Sequence, residues 1–320
     1  MKHIAYVTDT ELIEAVKNGL SKSPKSLPSW LLYDAIGDEL FQLIMRLPEY
    51  YPTRCEYEIL SKHKEDFARY FIDKGQSFHL IELGAGDGTK TELLLDALQH
   101  AAAKFRYSPV DISDSVLEQL NKKLRVRYPE LPIQPLHGSY EDAFRLLEPA
   151  TRKVVLFLGA NIGNMTLTQV NKFLTQTSTR LSRNDMMVIG FDLKKDPRII
   201  QAAYDDKSGV TRQFNLNLLH RLNRSLGAQF ILSEFEHYPT YNPETGTAAS
   251  YLVSLRDQDV FIKALNTTFH FSQWETVHTE ISQKFDLLLI ERLLSSSGFD
   301  IADLFFDKDH YFCDVIAVKR

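Results

Sequence analysis

The sequence predicts an α/β fold, a parallel sheet with helices on both faces, joined to a second and smaller α+β lobe. Three observations predict it. Between about residues 78 and 192, short apolar runs alternate with amphipathic helical stretches, the pattern of strands covered on both sides. The first of those runs ends in a glycine-rich turn, and the rhythm breaks after about residue 195. The 320 residues are 44% hydrophobic and 25% charged, enough apolar content for a packed core in one large or two ordinary domains.

The elements follow in order. To about residue 62 the chain reads as helical, with proline-marked turns at SPKSLPSW and LPEYYPTR. In the second turn Tyr50 and Tyr51 sit between Pro48 and Pro52, a stiff frame that disfavours both helix and central strand. FHLIEL (78–83) is the first strand, and the helix TKTELLLDALQHAAA follows with Thr89 and Glu92 in capping-box spacing. Next come strand FRYSPVDI, a helix from Ser113 to about Tyr128, and strand LPIQPLHG. A helix around EDAFRLL leads to strand KVVLFLG (153–159), helix LTQVNKFLTQTSTRL and strand DMMVIGFDL. Beyond 195 two helices, DPRIIQAAYDD and TRQFNLNLLHRLNRSL, precede several alternating strands between 229 and 285. The helix FDLLLIERLLSSSGF and the strand pair in IADLFFDKDHYFCDVIAVKR return the chain to the first sheet. The expected division is therefore 62–195 with 286–320 as the core, and 1–61 with 196–285 as a discontinuous lobe.

Composition narrows the function classes. A net charge of −5 gives no electrostatic reason to expect nucleic acid or an anionic membrane as partner. Two cysteines, Cys55 and Cys313, suggest a reducing compartment without a disulfide framework. Asp9, Glu11 and Glu14 interrupt what would be the apolar core of a signal peptide. No run approaches the roughly 20 apolar residues of a membrane span, so a cytoplasmic protein is expected. The ten histidines lack metal-ligand spacing, and no metal is expected. There is no Gly-x-Ser-x-Gly elbow and no Walker lysine in frame.

The glycine turn carries the chemistry. IELGAGDGTKT places Glu82, Gly84, Gly86 and Gly88 at the end of the first strand, where open α/β sheets bind ligands and glycines allow close approach. A dinucleotide fingerprint would require glycine at Thr89, which disfavours a dehydrogenase. The pattern Gly-x-Gly-x-Gly behind an acid resembles instead the first motif of S-adenosylmethionine-dependent methyltransferases. Asp111 ends the second strand, where a carboxylate can take both ribose hydroxyls; it can equally cap the next helix. Lys90 either meets the cofactor's carboxylate or faces water. Asn161 and Asn164, in LFLGANIGN, stand at the same sheet edge and are either substrate ligands or turn residues.

Taken together, LLYDAIGDELFQLIMRLPEYYPTRCEYEIL, IELGAGDGTKT, PVDIS, FLGANIGN, AAYDDKSGVTRQFNLNLLHRLNR and TEISQKF resemble, in this order, the L-histidine Nα-methyltransferase family of ergothioneine biosynthesis. That family includes fungal tryptophan-derivative N-methyltransferases. The resemblance covers nearly the whole length. It implies a Rossmann-like S-adenosylmethionine-dependent methyltransferase core with an inserted α+β substrate-binding lobe. It further implies trimethylation of the α-amine of histidine to hercynine. For the cofactor it points to Glu82, Gly84, Gly86, Lys90 and Asp111, with Ser139 and Tyr140 after the third strand. For the substrate it points to Asn164 and Tyr204 as a carboxylate clamp and to Glu280 and Ser282 as the grip on the imidazole nitrogens. Tyr33 and Tyr50 border the amine as the catalytic phenols, and Tyr51 is either packing or near the cofactor.

One departure stands out. Family histidine enzymes carry a methionine where alignment through RDQDV places Ser250, a smaller and polar wall. Histidine remains the expected substrate, because a buried Glu280 needs a donor. Tryptophan or a derivative is the alternative, and a cofactor-binding regulatory protein is the alternative of another class. A monomer or weak oligomer acting on a small molecule is expected.

Overall fold

The structure, a computed structural model, describes residues 9–73, 76–145 and 151–320. Helix α1 (Asp9–Leu20), strand β1 (Lys25–Ser26), a 3-10 turn at Ser29–Leu32 and helix α2 (Ala35–Ile44) come first. Helix α3 (Tyr51–Phe71) leads to β2 (Phe78–Leu83), α4 (Thr91–His100), β3 (Phe105–Asp111), α5 (Asp114–Arg127) and β4 (Leu136–His137). Then follow α6 (Tyr140–Arg145), β5 (Arg152–Phe157), a 3-10 turn at Asn161–Asn164, α7 (Leu167–Ser178) and β6 (Met186–Asp192). Helices α8 (Pro197–Tyr204) and α9 (Val210–Leu226) precede β7 (Phe235–Asn242), β8 (Thr247–Ser254), β9 (Gln258–Ile262), β10 (Thr267–Phe271) and β11 (Thr276–Gln283). The chain closes with α10 (Leu287–Ser296), β12 (Phe299–Phe306) and β13 (Phe312–Lys319).

Two compact units emerge, Met1–Tyr51 with Lys195–Ser282, and Pro52–Lys194 with Gln283–Arg320. The division falls at 51/52, ten residues before the boundary expected from the change of rhythm, because α3 is one unbroken helix of 21 residues. Pro52 is tolerated there: in the first turn of a helix the backbone N–H has no intrahelical partner to lose.

The second unit is built on a seven-stranded sheet of order β12-β13-β6-β5-β2-β3-β4. Strands β4, β3, β2, β5 and β6 are parallel, while β13 runs antiparallel to both its neighbours. Every residue of β2 is buried, which is why FHLIEL reads as an unbroken apolar run. The chain leaves β2 for β3 on one side and later β5 on the other, so its carboxyl end is the switch-point crevice of an open sheet. Ile81, Val155, Phe157 and Ile189 share one core with Leu174 of α7 and Ile290 of α10. Cys55 and Cys313 are buried and unbridged.

Helix α4 starts one residue later than the capping-box spacing suggested. Thr89 does not cap it; Lys90 occupies the N-cap without a side-chain capping bond, and Glu92 instead pairs with Lys123 at 2.5 Å and Arg127 at 2.8 Å. The end of the expected EDAFRLL helix, from residue 146, lies outside the described residues.

The first unit holds a four-stranded sheet of order β1-β11-β8-β7 and a β9-β10 ribbon. Burial alternates strictly along β8, the mark of a sheet with one covered face. Leu252 and Val277 pack there with Phe214, Leu218 and Leu222 of α9. No described helix is long and apolar enough to cross a membrane.

Candidate active site

The turn after β2 is pinned to the end of β3: Gly84 N and Ala85 N both donate to Val110 O, at 2.8 and 3.1 Å. Gly84 (φ +76°) and Gly86 (φ +54°) adopt the left-handed backbone that strains other residues. A Cβ at Gly84 would stand 2.7 Å from Asn161 Nδ2, whereas one at Gly86 would meet nothing within 4 Å. The backbone at Gly86 therefore looks onto open space. Asp111 accepts Gly86 N–H on one oxygen and Ser113 N–H on the other, each at 2.9 Å. Each oxygen keeps lone-pair capacity for a further donor. Burial pushes its carboxyl up, the backbone N–H bonds oppose it, and the net shift is upward.

Glu82 lies beneath this turn. It is 3% exposed, and its two oxygens accept the Thr91 and Tyr107 hydroxyls. It therefore ties β2, β3 and α4 together from inside. Burial pushes the carboxyl up to about 7 against those two hydrogen bonds.

Lys90 does not simply face water. Its ammonium pairs with Glu56 of α3, and Glu56 also receives the Gly159 N–H on both oxygens, at 2.7 and 2.9 Å. Burial alone would lower the Lys90 pKa; the charge and hydrogen bond of Glu56 outweigh it, and the net shift is upward. Sequence reasoning missed Glu56. In YPTRCEYEILSKHKEDFARYF it is one of many charges, and only its complete burial separates it from them.

After β4, Ser139 forms a reciprocal cap on α6: its N–H and hydroxyl donate to Asp142 Oδ2 at 3.0 and 2.7 Å, and its Oγ accepts Asp142 N–H at 3.3 Å. The Tyr140 ring packs edge-on against Phe157 at 5.1 Å, and its hydroxyl reaches within 3.5 Å of where a Gly84 Cβ would stand. Gly84, Gly86, Asp111, Tyr140 and Asn161 thus converge at one sheet edge. Asn164 ends the following 3-10 turn and is exposed.

In the first unit Tyr33 and Tyr50 flank Phe41, with ring centroids 5.6 and 6.2 Å away, and Tyr33 also meets Phe214 at 5.5 Å. Arg221 fixes the turn before Tyr33 by donating to the carbonyls of Trp30, Leu31 and Tyr33 at 3.4, 2.9 and 3.2 Å. Tyr51 is buried, with Lys195 Nζ 4.1 Å from its ring centroid and donating to its hydroxyl at 2.8 Å.

Tyr204 and Ser282, expected at opposite ends of a substrate, are joined by a Tyr204 hydroxyl to Ser282 Oγ bond of 2.7 Å. Glu280 is half-buried two residues before Ser282 on β11. Ser250 is 1% exposed, in step with Leu252 on the covered positions of β8. Its carbonyl accepts the Thr279 hydroxyl at 3.1 Å, which also reaches Asn215 Oδ1 at 2.9 Å.

Among the described residues no group of three or more His, Cys, Asp or Glu side chains is arranged to hold a metal. A hollow of about 500 Å³ lined by Ser77, Phe78, Lys104 and Phe105 lies at the opposite edge, where the strands begin. Open sheets bind at their carboxyl ends, so that hollow is not the site.

Residues 12–319 match the family described as histidine-specific, SAM-dependent methyltransferases. The chain belongs to this family. Its cofactor is accordingly S-adenosylmethionine, and the open space over Gly86, which any Cβ would enter, suits such a ligand. Histidine N-alpha-methyltransferase of Mycolicibacterium smegmatis is 37% identical over 270 residues, 84% of this chain and 83% of that protein. Its namesake from Mycobacterium tuberculosis is 37% identical over 88% of this chain and 87% of that protein. N-methyltransferase imqF of Aspergillus flavus is 29% identical over 91% of this chain and 80% of its own length. A solved S-adenosylmethionine-dependent methyltransferase from Clostridium acetobutylicum shares 13% identity, with a TM-score of 0.45 over 89% of this chain and 96% of the other. The Rossmann-like character of this methyltransferase rests on its sheet order and its family, not on that distant likeness.

Proposed function

We propose that this methyltransferase transfers methyl groups to the α-amine of free L-histidine, in the cytoplasm, giving the trimethylated betaine hercynine. The observation that carries the reading is that a chain of the histidine-specific family keeps the acid and hydroxyl Glu280 and Ser282 together on β11. An imidazole offers two ring nitrogens that match this pair.

In this reading the second unit holds the cofactor. Asp111 takes the ribose hydroxyls, Gly84 and Gly86 let the backbone approach, and Ser139 and Tyr140 border the same turn. Lys90 directs its remaining donors to the cofactor's carboxylate, and Glu82 supports the turn from beneath. Bound there, S-adenosylmethionine supplies a methyl group on a sulfonium.

Asn164 and Tyr204 hold the amino acid carboxylate, and Tyr33 and Tyr50 orient the amine. The 2.7 Å bond between Tyr204 and Ser282 supports one continuous hydrogen-bonded surface for both ends of the ligand. A free α-amine is largely protonated near neutrality, and each of the first two transfers leaves a protonated amine, so one proton passes to water before each of the three additions, with the phenols aiming the lone pair. Holding the nitrogen in near-attack geometry lowers the barrier by several kcal/mol. After the third addition the nitrogen has no lone pair, and the sequence ends.

The alternative raised by Ser250, a larger aromatic amino acid such as tryptophan, is not favoured by the family or its relatives. Calorimetry with S-adenosylhomocysteine present separates the two. Histidine is expected to bind and tryptophan to bind at least ~10-fold more weakly, a gap of about 1.4 kcal/mol. Binding of tryptophan alone would overturn the assignment.

A further inference from the structure

Glu56, which receives Lys90 and the Gly159 N–H, has an acidic neighbour that the cofactor site does not explain. Asp314 lies in mid-β13, directly opposite Gly190 of β6. A Cβ at Gly190 would collide with Glu56 Oε1, so the Glu56 carboxyl fills the slot that a side chain at 190 would take. Facing residues of an antiparallel pair hold their Cβ positions roughly 5 Å apart. The two carboxyls are therefore side by side. Both residues are 0% exposed.

Among the described residues neither Asp314 oxygen receives an N–H or alcohol O–H, whereas Glu56 takes both Gly159 N–H and Lys90. An ionised carboxylate with no donor in a dry interior is far costlier than a neutral acid, and two adjacent carboxyls resist ionising together. The single ammonium of Lys90 balances only one negative charge. A protonated Asp314 turns the same geometry into an acid–carboxylate hydrogen bond, with its O–H donated to Glu56.

We infer that Asp314 is held as the neutral acid and shares its proton with Glu56, making the pair a singly charged clamp that positions Lys90 and the Gly159 turn. The charged or titratable groups coupled to the pair are Lys90 before α4, Glu82 on β2 and Cys313 on β13, and only Lys90 is cationic. Burial, then the charge of Glu56, pushes the Asp314 carboxyl well above the usual range, with Lys90 opposing. The protonation state stands on packing alone, while the positioning role rests on the proposed contact of Lys90 with the cofactor.

Infrared spectroscopy of the whole chain tests the shared proton. At about pH 8.5 a neutral-acid carbonyl band is expected that vanishes in Asp314→Asn. Glu82, pushed up only to about 7, is largely ionised there and contributes little. No such band, or a band that persists in Asp314→Asn, overturns the inference. S-adenosylhomocysteine calorimetry tests the clamp. Asp314→Leu, similar in size but without a donor, should bind ~10-fold more weakly, and Asp314→Asn, whose amide can donate to Glu56, should recover most of that loss. Equal affinity in the two variants removes the clamp. If Asp314→Leu does not fold, the band in wild type and Asp314→Asn still decides the protonation. Lys90→Met probes the underlying reading separately: unchanged cofactor affinity would take Lys90 out of the site while leaving the band in place.

Discussion

Glu82 and Asp111 end neighbouring strands, yet their surroundings give them different work. Asp111 is fastened by two backbone N–H groups and retains acceptor capacity, whereas both Glu82 oxygens are occupied by hydroxyls in the interior. With a pKa raised to about 7 from an ordinary 4.5, Glu82 contributes stability that is complete below 4.5 and lost as pH rises to 7. That loss is about 3 kcal/mol. Glu82→Gln cannot ionise, so its denaturation midpoint relative to wild type should improve between about pH 5 and pH 8. A gap that stays constant with pH would refute this. Glu280→Ala should weaken histidine binding by ~10-fold or more, through an unpaired ring nitrogen, and leave S-adenosylhomocysteine affinity intact. Turnover equal to wild type would remove Glu280 from the site. The glycine turn and Asp111 were legible because their signal is local spacing. The partner of Lys90 was not, since Glu56 lies 34 positions away and only burial marks it.

At the scale of elements, the deviations sit at helix ends. Pro52 reads as a breaker but fits the first turn of α3, and Thr89 has capping spacing while the helix begins at Thr91. Caps are decided by competition among nearby donors and acceptors, which residue type alone does not resolve. Helix α9 shows the reverse. Its N-cap, Gly209, has no side chain to cap with, yet the Asp206 carboxylate accepts Val210 N–H at 2.9 Å, Thr211 N–H at 2.7 Å and the Ser208 hydroxyl at 2.5 Å. Burial acts upward on that carboxyl, but these bonds outweigh it and pull it down to about 2. Asp206→Ala should therefore cost about 1–3 kcal/mol, read as a lower urea midpoint at pH 7. A midpoint within error of wild type would show that the turn holds itself. The same helix carries Arg221, whose three carbonyl contacts fix the turn that presents Tyr33.

For the whole molecule, the expected cofactor residues lie in one unit and, Asn164 apart, the expected substrate residues in the other. Hydrogen exchange should reflect that. S-adenosylhomocysteine is expected to slow exchange in segments 82–90 and 109–113. Adding histidine should then slow segments bearing Tyr33, Tyr50, Tyr204 and Glu280. If histidine leaves those four segments unchanged, the substrate assignment fails.

Alone, the sequence determined the alternation of strand and helix, the ligand-binding turn at the end of β2, the acid at the end of β3 and the family. Each is written in short-range pattern, where periodicity and spacing report directly on backbone geometry. Only the tertiary structure decided which polar groups meet: Glu56 with Lys90 and Asp314, Glu82 with Tyr107, Tyr204 with Ser282. Those partners meet through packing across tens to hundreds of residues, and the dielectric that sets their protonation does not exist until the chain has folded.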